Sequence, residues 1–215
     1  MSLSADLKST VEAVRAAVPA PIFAAIGAAI SDLAASGIAD RAARTGSTVP
    51  LRVLPDLDRN AVDLQRLADK GPLVVIFYRG GWCPYCNVTL RAFQRVLPQI
   101  AAAGASLVAI TPEVADRASD TALKNNLGFP VLIDARNSYA RSLGLVFALP
   151  ESLRPQYRQI GIDLPDWNGD DRHELPLAAT YVVDATGTVR WSFVEADFTT
   201  RAEPVDVLSA LGRLS

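Results

Sequence analysis

Leu73-Val74-Val75-Ile76-Phe77-Tyr78-Arg79-Gly80-Gly81-Trp82-Cys83-Pro84-Tyr85-Cys86 is the stretch from which the rest of the chain can be read. Its first five residues form a continuous apolar run rich in β-branched side chains, entered from Gly71-Pro72. A run of that length without polar alternation is the pattern of a central strand buried on both faces. Residues 87–103 then place Leu90, Phe93, Val96, Leu97 and Ile100 on one helical face and Arg91, Gln94, Arg95 and Gln99 on the other, predicting a crossover helix bent at Pro98. Residues 106–110 and 130–133 repeat the buried-strand pattern. Residues 180–183, the turn Asp184-Ala185-Thr186-Gly187 and residues 189–194 predict a hairpin, and residues 203–214 a closing helix. The order of these elements predicts an α/β fold, a central mixed sheet flanked by helices.

Upstream, residues 1–46 read as an N-terminal helical extension to a domain spanning 47–215. Leu3, Leu7, Val11, Val14 and Val18, then Ile22, Phe23, Ile26, Ile30 and Leu33, recur at helical spacing, with Pro19 and Pro21 at the join and Gly37 as a left-handed cap. Two roles stay open for this arm: packing on its own domain, or the contact of a homodimer. Residues 150–176, with Pro150, Pro155, Pro165, Asn168, Gly169 and Pro176, read as an irregular surface insertion over the site, with neither a strand nor a long helix.

Composition narrows the function classes. The 215 residues are 50% hydrophobic, and 21 Lys+Arg stand against 23 Asp+Glu without a basic stripe, which argues against a nucleic-acid partner. The most apolar stretch, residues 18–30, is shorter than the roughly 20 residues of a membrane span. The first residues lack the basic and apolar regions of a secretory signal, so the cytoplasm is the expected compartment. Cys83 and Cys86 are the only cysteines and His173 the only histidine, too few for a tetrahedral zinc site, and no metal is expected. His173 reads as a solvated loop residue. Asp197, Arg201 and Glu203, after the last strand, are expected to form an ion-paired cap on the final helix.

Chemistry concentrates at the carboxyl end of the first buried strand, where open α/β sheets place their sites. A cysteine between a strand and the first turn of a helix meets unpaired amides and the positive end of the helix dipole, which favour the thiolate. Arg79, charged at any working pH, lies on the approach loop and is the candidate to stabilise that thiolate or to orient an oxygen-bearing substrate. A second cysteine one turn away can close a disulfide that a reductant reopens.

With these residues in hand the chain resembles the thioredoxin-fold proteins and, among them, the peroxiredoxin-like group related to alkyl hydroperoxide reductases. The likeness is carried by residues 71–86, then Ala109-Ile110-Thr111-Pro112, Gly161-Ile162-Asp163-Leu164-Pro165, residues 179–184 and residues 197–204. The resemblance implies a thioredoxin-like fold and reduction of hydrogen peroxide or organic hydroperoxides. It further implies recycling by thioredoxin, glutaredoxin or glutathione, without a metal or organic cofactor. Cys83, Cys86 and Arg79 are then the catalytic candidates, and Trp82, Pro84, Tyr85 and Thr180 the candidate substrate contacts.

Two alignments assign the cysteines differently. On the peroxiredoxin pattern Cys86 attacks, and the usual Pro and Thr are replaced by Arg79 and Cys83. On the thioredoxin pattern Cys83 attacks and Cys86 resolves; Pro84-Tyr85 is the dipeptide typical of glutaredoxins. The alternatives to a peroxidase are a thiol-disulfide oxidoreductase and a peroxide-sensing interaction protein.

Overall fold

The computed structural model describes residues 2–214. Helices α1 (Leu3–Ala17), α2 (Ala20–Ala35) and α3 (Ile38–Arg41) lead to a ribbon of β1 (Val53–Pro55) and β2 (Ala61–Asp63), then α4 (Leu64–Ala68). The alternating part follows as β3 (Leu73–Phe77), α5 (Pro84–Ala102), β4 (Ser106–Thr111), α6 (Ala115–Lys124), β5 (Val131–Ile133) and α7 (Ser138–Ser142). Next come β6 (Val146–Ala148), α8 (Arg154–Gln159), α9 (Leu164–Asn168) and β7 (Glu174–Pro176); the hairpin β8 (Ala179–Val183) and β9 (Val189–Val194) and the helix α10 (Pro204–Gly212) end the chain. Among the described residues no helix is long and apolar enough to cross a membrane.

The main sheet has the order β5-β4-β3-β8-β9. β3, β4 and β5 run parallel, whereas β8 is antiparallel to β3 and to β9, so the sheet is mixed, as the element order predicts. The uninterrupted apolar run of β3 follows from its position, because both of its faces are covered. Val74, Ile76 and Tyr78 enter one core with Leu90, Phe93 and Ile100 of α5 and Val207 and Leu211 of α10. Leu73, Val75 and Phe77 enter the opposite core with Leu64 of α4 and Tyr139 of α7. Each such side chain contributes about 1.5–3 kcal/mol on burial, so the strand that carries the cysteine loop is among the most firmly anchored elements.

α1 lays Leu3 and Leu7 into the α5 core. Its first turn is held by Glu203, whose carboxylate accepts from the backbone N–H of Leu3 at 3.1 Å and of Ser4 at 2.6 Å. Gly37, at φ +68°, is the left-handed residue between α2 and α3.

Two expectations are corrected. α5 begins at Pro84, not at residue 87, and continues through Pro98 as one helix. Residues 150–176 are more regular than their proline content suggests. Pro155 and Pro165 occupy the first turns of α8 and α9, where a missing N–H costs nothing, and Glu174–Pro176 is a strand paired with β6. Leu153, Tyr157, Leu164 and Leu175 form a third small core, against which Ala25, Ile26 and Ala29 of α2 pack.

Candidate active site

The loop between β3 and α5 is shaped by two glycines. Gly80 has φ +147°, and a Cβ there would lie 2.4 Å from the Trp82 indole nitrogen; a Cβ on Gly81 would lie 1.9 Å from Thr121 Oγ1. Polar anchors then hold the turn. The Gly81 N–H donates to Glu113 Oε1 at 2.8 Å, and Asn87 Nδ2 donates to the carbonyls of Gly81 at 2.7 Å and Cys83 at 3.1 Å. Asn125 Nδ2 in turn fixes Asn87 Oδ1 at 2.7 Å. Glu113 is fully buried, and burial raises its carboxyl pKa despite the bonds from Gly81, Thr111 and Thr121 that favour the ionised form.

This scaffold puts Cys83 at the N-cap of α5 and Cys86 inside its first turn, both thiols free and buried. Burial alone would raise the Cys83 pKa, but the Cys86 S–H donating to it and the positive charges of Arg79 and Arg201 outweigh burial and hold it well below the usual thiol range. Cys86 is pushed the other way, by burial and by the neighbouring Cys83. Negative charge is thus favoured on Cys83 and disfavoured on Cys86.

The two sulfurs face different spaces. Cys83 lines a cavity of about 450 Å³ together with Arg79, Trp82, Pro84, Tyr85, Tyr157 and Phe198. Arg79 is 1% exposed, with its guanidinium 3.8 Å from the Phe198 ring centroid and 4.8 Å from that of Trp82. Its Nη2 donates to the Tyr157 hydroxyl at 3.1 Å, while Nε and Nη1 have no partner among the described residues. Trp82 meets Tyr157 edge to face with centroids 5.9 Å apart, and Tyr85 sits 5.6 Å from Phe198. Cys86 faces a small space of about 10 Å³, lined also by Tyr78, Thr89, Ala178, Thr180 and Arg201.

Five of the seven sequence-derived site residues, Arg79, Trp82, Cys83, Pro84 and Tyr85, therefore line one cavity, and Cys86 lies beside Cys83 but faces the smaller space. Thr180 does not join the cavity. It is buried in β8 opposite Ile76, on the Cys86 side, so the substrate contact expected of it is not among the cavity walls.

Arg201 corrects the expected helix cap. No ion pair joins it to Asp197 or Glu203 among the described residues. Its Nη2 lies 3.6 Å from Cys86 Sγ, and its Nη1 donates to the Phe198 carbonyl. Glu203 is instead engaged with α1, and Asp197 accepts from the Thr199 N–H at 2.8 Å. Sequence reasoning also missed Tyr157, Phe198, Glu113 and Asn87. Nothing local marks Tyr157 or Glu113, Phe198 lies in the segment 197–204 without a feature that assigns it a role, and the signal for Asn87 is its place next to Cys86 and one turn after Cys83.

Known proteins place this arrangement. Residues 45–192, well over half of the chain, match the AhpC/TSA family. The chain belongs to that family. It is 28% identical over 175 residues to the chloroplastic peroxiredoxin Q of Triticum aestivum, an alignment covering 81% of this chain and 70% of that protein. The fold is similar to that of peroxidoxin BcpB from Mycobacterium tuberculosis, with a TM-score of 0.63 and 22% identity over 80% of this chain and 98% of that one. It is also similar to peroxiredoxin Q from Xanthomonas campestris, with a TM-score of 0.57 and 17% identity over 79% and 98% of the two chains. The family segment ends before Phe198 and Arg201 and begins after α2, so part of the site's surroundings is built from outside it.

Proposed function

We propose that this AhpC/TSA-family member, a thiol-dependent peroxidase, works through Cys83 as the attacking thiolate and Cys86 as the resolving thiol. The observation that carries the assignment is the split between the sulfurs: the one held as thiolate by Arg79, Arg201 and the Cys86 S–H is also the one that opens on the cavity.

The Cys83 thiolate attacks the distal oxygen of the hydroperoxide. An S–O bond forms, the O–O bond breaks, and the departing alkoxide or hydroxide takes a proton from solvent. Arg79, whose charge lowers the Cys83 pKa and whose Nε and Nη1 have no partner among the described residues, favours negative charge on both the nucleophile and the leaving oxygen. Cys86 then attacks the sulfenic sulfur, its proton leaving with the hydroxyl group as water, and the Cys83–Cys86 disulfide closes. A dithiol such as thioredoxin or glutaredoxin, or two molecules of glutathione, returns two electrons and reopens it.

Stopped-flow mixing of the reduced protein with hydrogen peroxide and with an organic hydroperoxide, followed by Trp82 fluorescence, tests the reading. A second-order rate orders of magnitude above that of free cysteine is expected. A rate no faster than that of a free thiolate would transfer the pair to disulfide exchange, which the Trp82-Cys83-Pro84-Tyr85-Cys86 motif also suits.

A further inference from the structure

Two carboxylates, Asp134 and Glu113, are buried among the described residues, and only the first is explained by the fold. Asp134 accepts from the backbone N–H groups of Tyr139 and Ala140, both at 2.8 Å, and so caps α7. No ion pair reaches Glu113 among the described residues. Its donors are neutral: the Gly81 N–H at 2.8 Å and the hydroxyls of Thr111 at 3.2 Å and Thr121 at 3.4 Å. A carboxylate taken from water without a cation favours its protonated form, which is the property of a proton acceptor.

The sheet sets a hydroxyl between this carboxylate and Cys86. The Tyr78 N–H donates to the Ile110 carbonyl at 3.0 Å, which extends the parallel pairing of β3 and β4 by one residue and puts Tyr78 beside Thr111. Tyr78 enters the same core as Cys86, and both line the space of about 10 Å³. Its hydroxyl is buried without a partner among the described residues, a costly state for a donor that has no other use. Burial and the charges of Glu113 and Cys86 keep the hydroxyl protonated, so it can take up one proton only by passing on another. The other groups acting on Cys86 are Cys83 from the cap of its helix, Arg79 from the end of β3 and Arg201 from the segment before α10. None of them is an acceptor when the disulfide closes, because the guanidinium groups keep their protons and Cys83 is then the sulfenic acid. Bulk solvent does not reach Cys86, which is buried.

We propose that Tyr78 and Glu113 relay the proton of Cys86: as this thiol attacks, its proton passes to the Tyr78 oxygen and the Tyr78 proton passes to the Glu113 carboxylate. The proposal rests on Cys86 being the resolving thiol of the reading above. The S–S bond forms from the Cys86 thiolate, the S–O bond of the sulfenic acid breaks, and the departing hydroxide takes a proton from solvent to become water. Glu113 yields its proton to solvent once the disulfide has closed, so one proton leaves the chain for the one that the hydroxide takes up. Reduction of the disulfide runs the relay backwards and returns a proton to Cys86.

Disulfide closure is read without peroxide by mixing the reduced protein with dithiobis(nitrobenzoate). Cys83 releases a first coloured thiolate, and Cys86, attacking the mixed disulfide, releases a second that needs no proton to leave. Both phases are followed by absorbance across pH for the wild type, Tyr78→Phe, Glu113→Gln and the double variant, and the readout is the ratio of second to first rate. Glu113→Gln keeps an oxygen for the Gly81 N–H, and Tyr78→Phe keeps the ring in the core. In the wild type the second release is expected to be flat through the neutral range. Each single variant should lower the ratio about tenfold or more at neutral pH and recover toward the wild type as the pH rises and the thiol ionises unaided. The double variant should be no slower than either single one, as for two members of one chain.

A ratio that neither variant changes, or that falls by the same factor at every pH, would overturn the relay and leave Glu113 as an anchor of the Gly81 loop. A first release that Cys86→Ser abolishes and Cys83→Ser spares would reverse the roles of the thiols and overturn the relay together with the reading it rests on. The expected pH dependence combined with a peroxide rate no better than that of a free thiolate would overturn the peroxidase reading alone and keep the relay for disulfide exchange.

Discussion

The two sides of the cysteine pair differ more than their separation of one helical turn suggests. On the Cys83 side lie a wide apolar cavity, an arginine clamped between aromatic rings and a thiol whose pKa neighbouring groups lower. On the Cys86 side lie a space of only about 10 Å³, the guanidinium of Arg201 and a thiol whose pKa burial and the neighbouring Cys83 raise. Burial presses on both thiols alike, so burial does not divide the roles. The division comes from which sulfur sits at the helix N-terminus, which charge stands closer, and where room is left for a second molecule. Arg79 weighs more than Arg201 on Cys83, and Arg201 more than Arg79 on Cys86.

The most severe way to break this comparison is to remove each sulfur in turn. Cys83→Ser is expected to abolish the reaction with peroxide, whereas Cys86→Ser keeps a first turnover and stops at the sulfenic acid, which dimedone labelling and mass spectrometry detect. The reverse pattern would exchange the roles and leave the cavity without a nucleophile.

The next effect in size belongs to Arg79. Arg79→Met keeps a long apolar stem between Phe198 and Trp82 but loses the charge and the unpartnered donors. The peroxide rate at neutral pH is expected to fall by roughly 10²–10³, as when a donor is removed from a charge-stabilising site.

A smaller effect sharpens the comparison through pH. In the wild type the lowered Cys83 pKa keeps the thiolate populated, so the rate with peroxide is flat from the free-thiol range of about 8.5 downward and falls only once the pH drops through the Cys83 value. Arg201→Gln removes a charge that lowers both thiols, and the midpoint should move to higher pH by roughly one unit or more. Closure of the disulfide, which needs Cys86 to lose its proton, should slow further. A pH profile that Arg201→Gln leaves in place would show that the guanidinium serves only to hold the Phe198 carbonyl.

Most of the scaffold was legible because local patterns and tertiary demand agree. The unbroken apolar run of residues 73–77 can be satisfied only between two cores, and the turn at Asp184-Ala185-Thr186-Gly187 dictates the hairpin beside it. Residues 150–176 misled for a local reason: Pro155 and Pro165 read as breakers where they are helix starts, and the three residues of β7 are too short to show a period. Arg201 misled for a longer-range reason. It has Asp197 and Glu203 as sequence neighbours, yet Glu203 is taken by the first turn of α1, two hundred residues earlier in the chain.

By itself the sequence determined the fold class, the place of the chemistry at the end of β3 and the identity of the two sulfurs, because each follows from residues adjacent in the chain. The tertiary structure decided which thiol's pKa is lowered, that Arg79 and Arg201 divide between them, and that the N-terminal arm walls the cavity. Those outcomes depend on charges and surfaces brought together from residues 11, 26, 79, 157 and 201, and no local pattern encodes a distance between them.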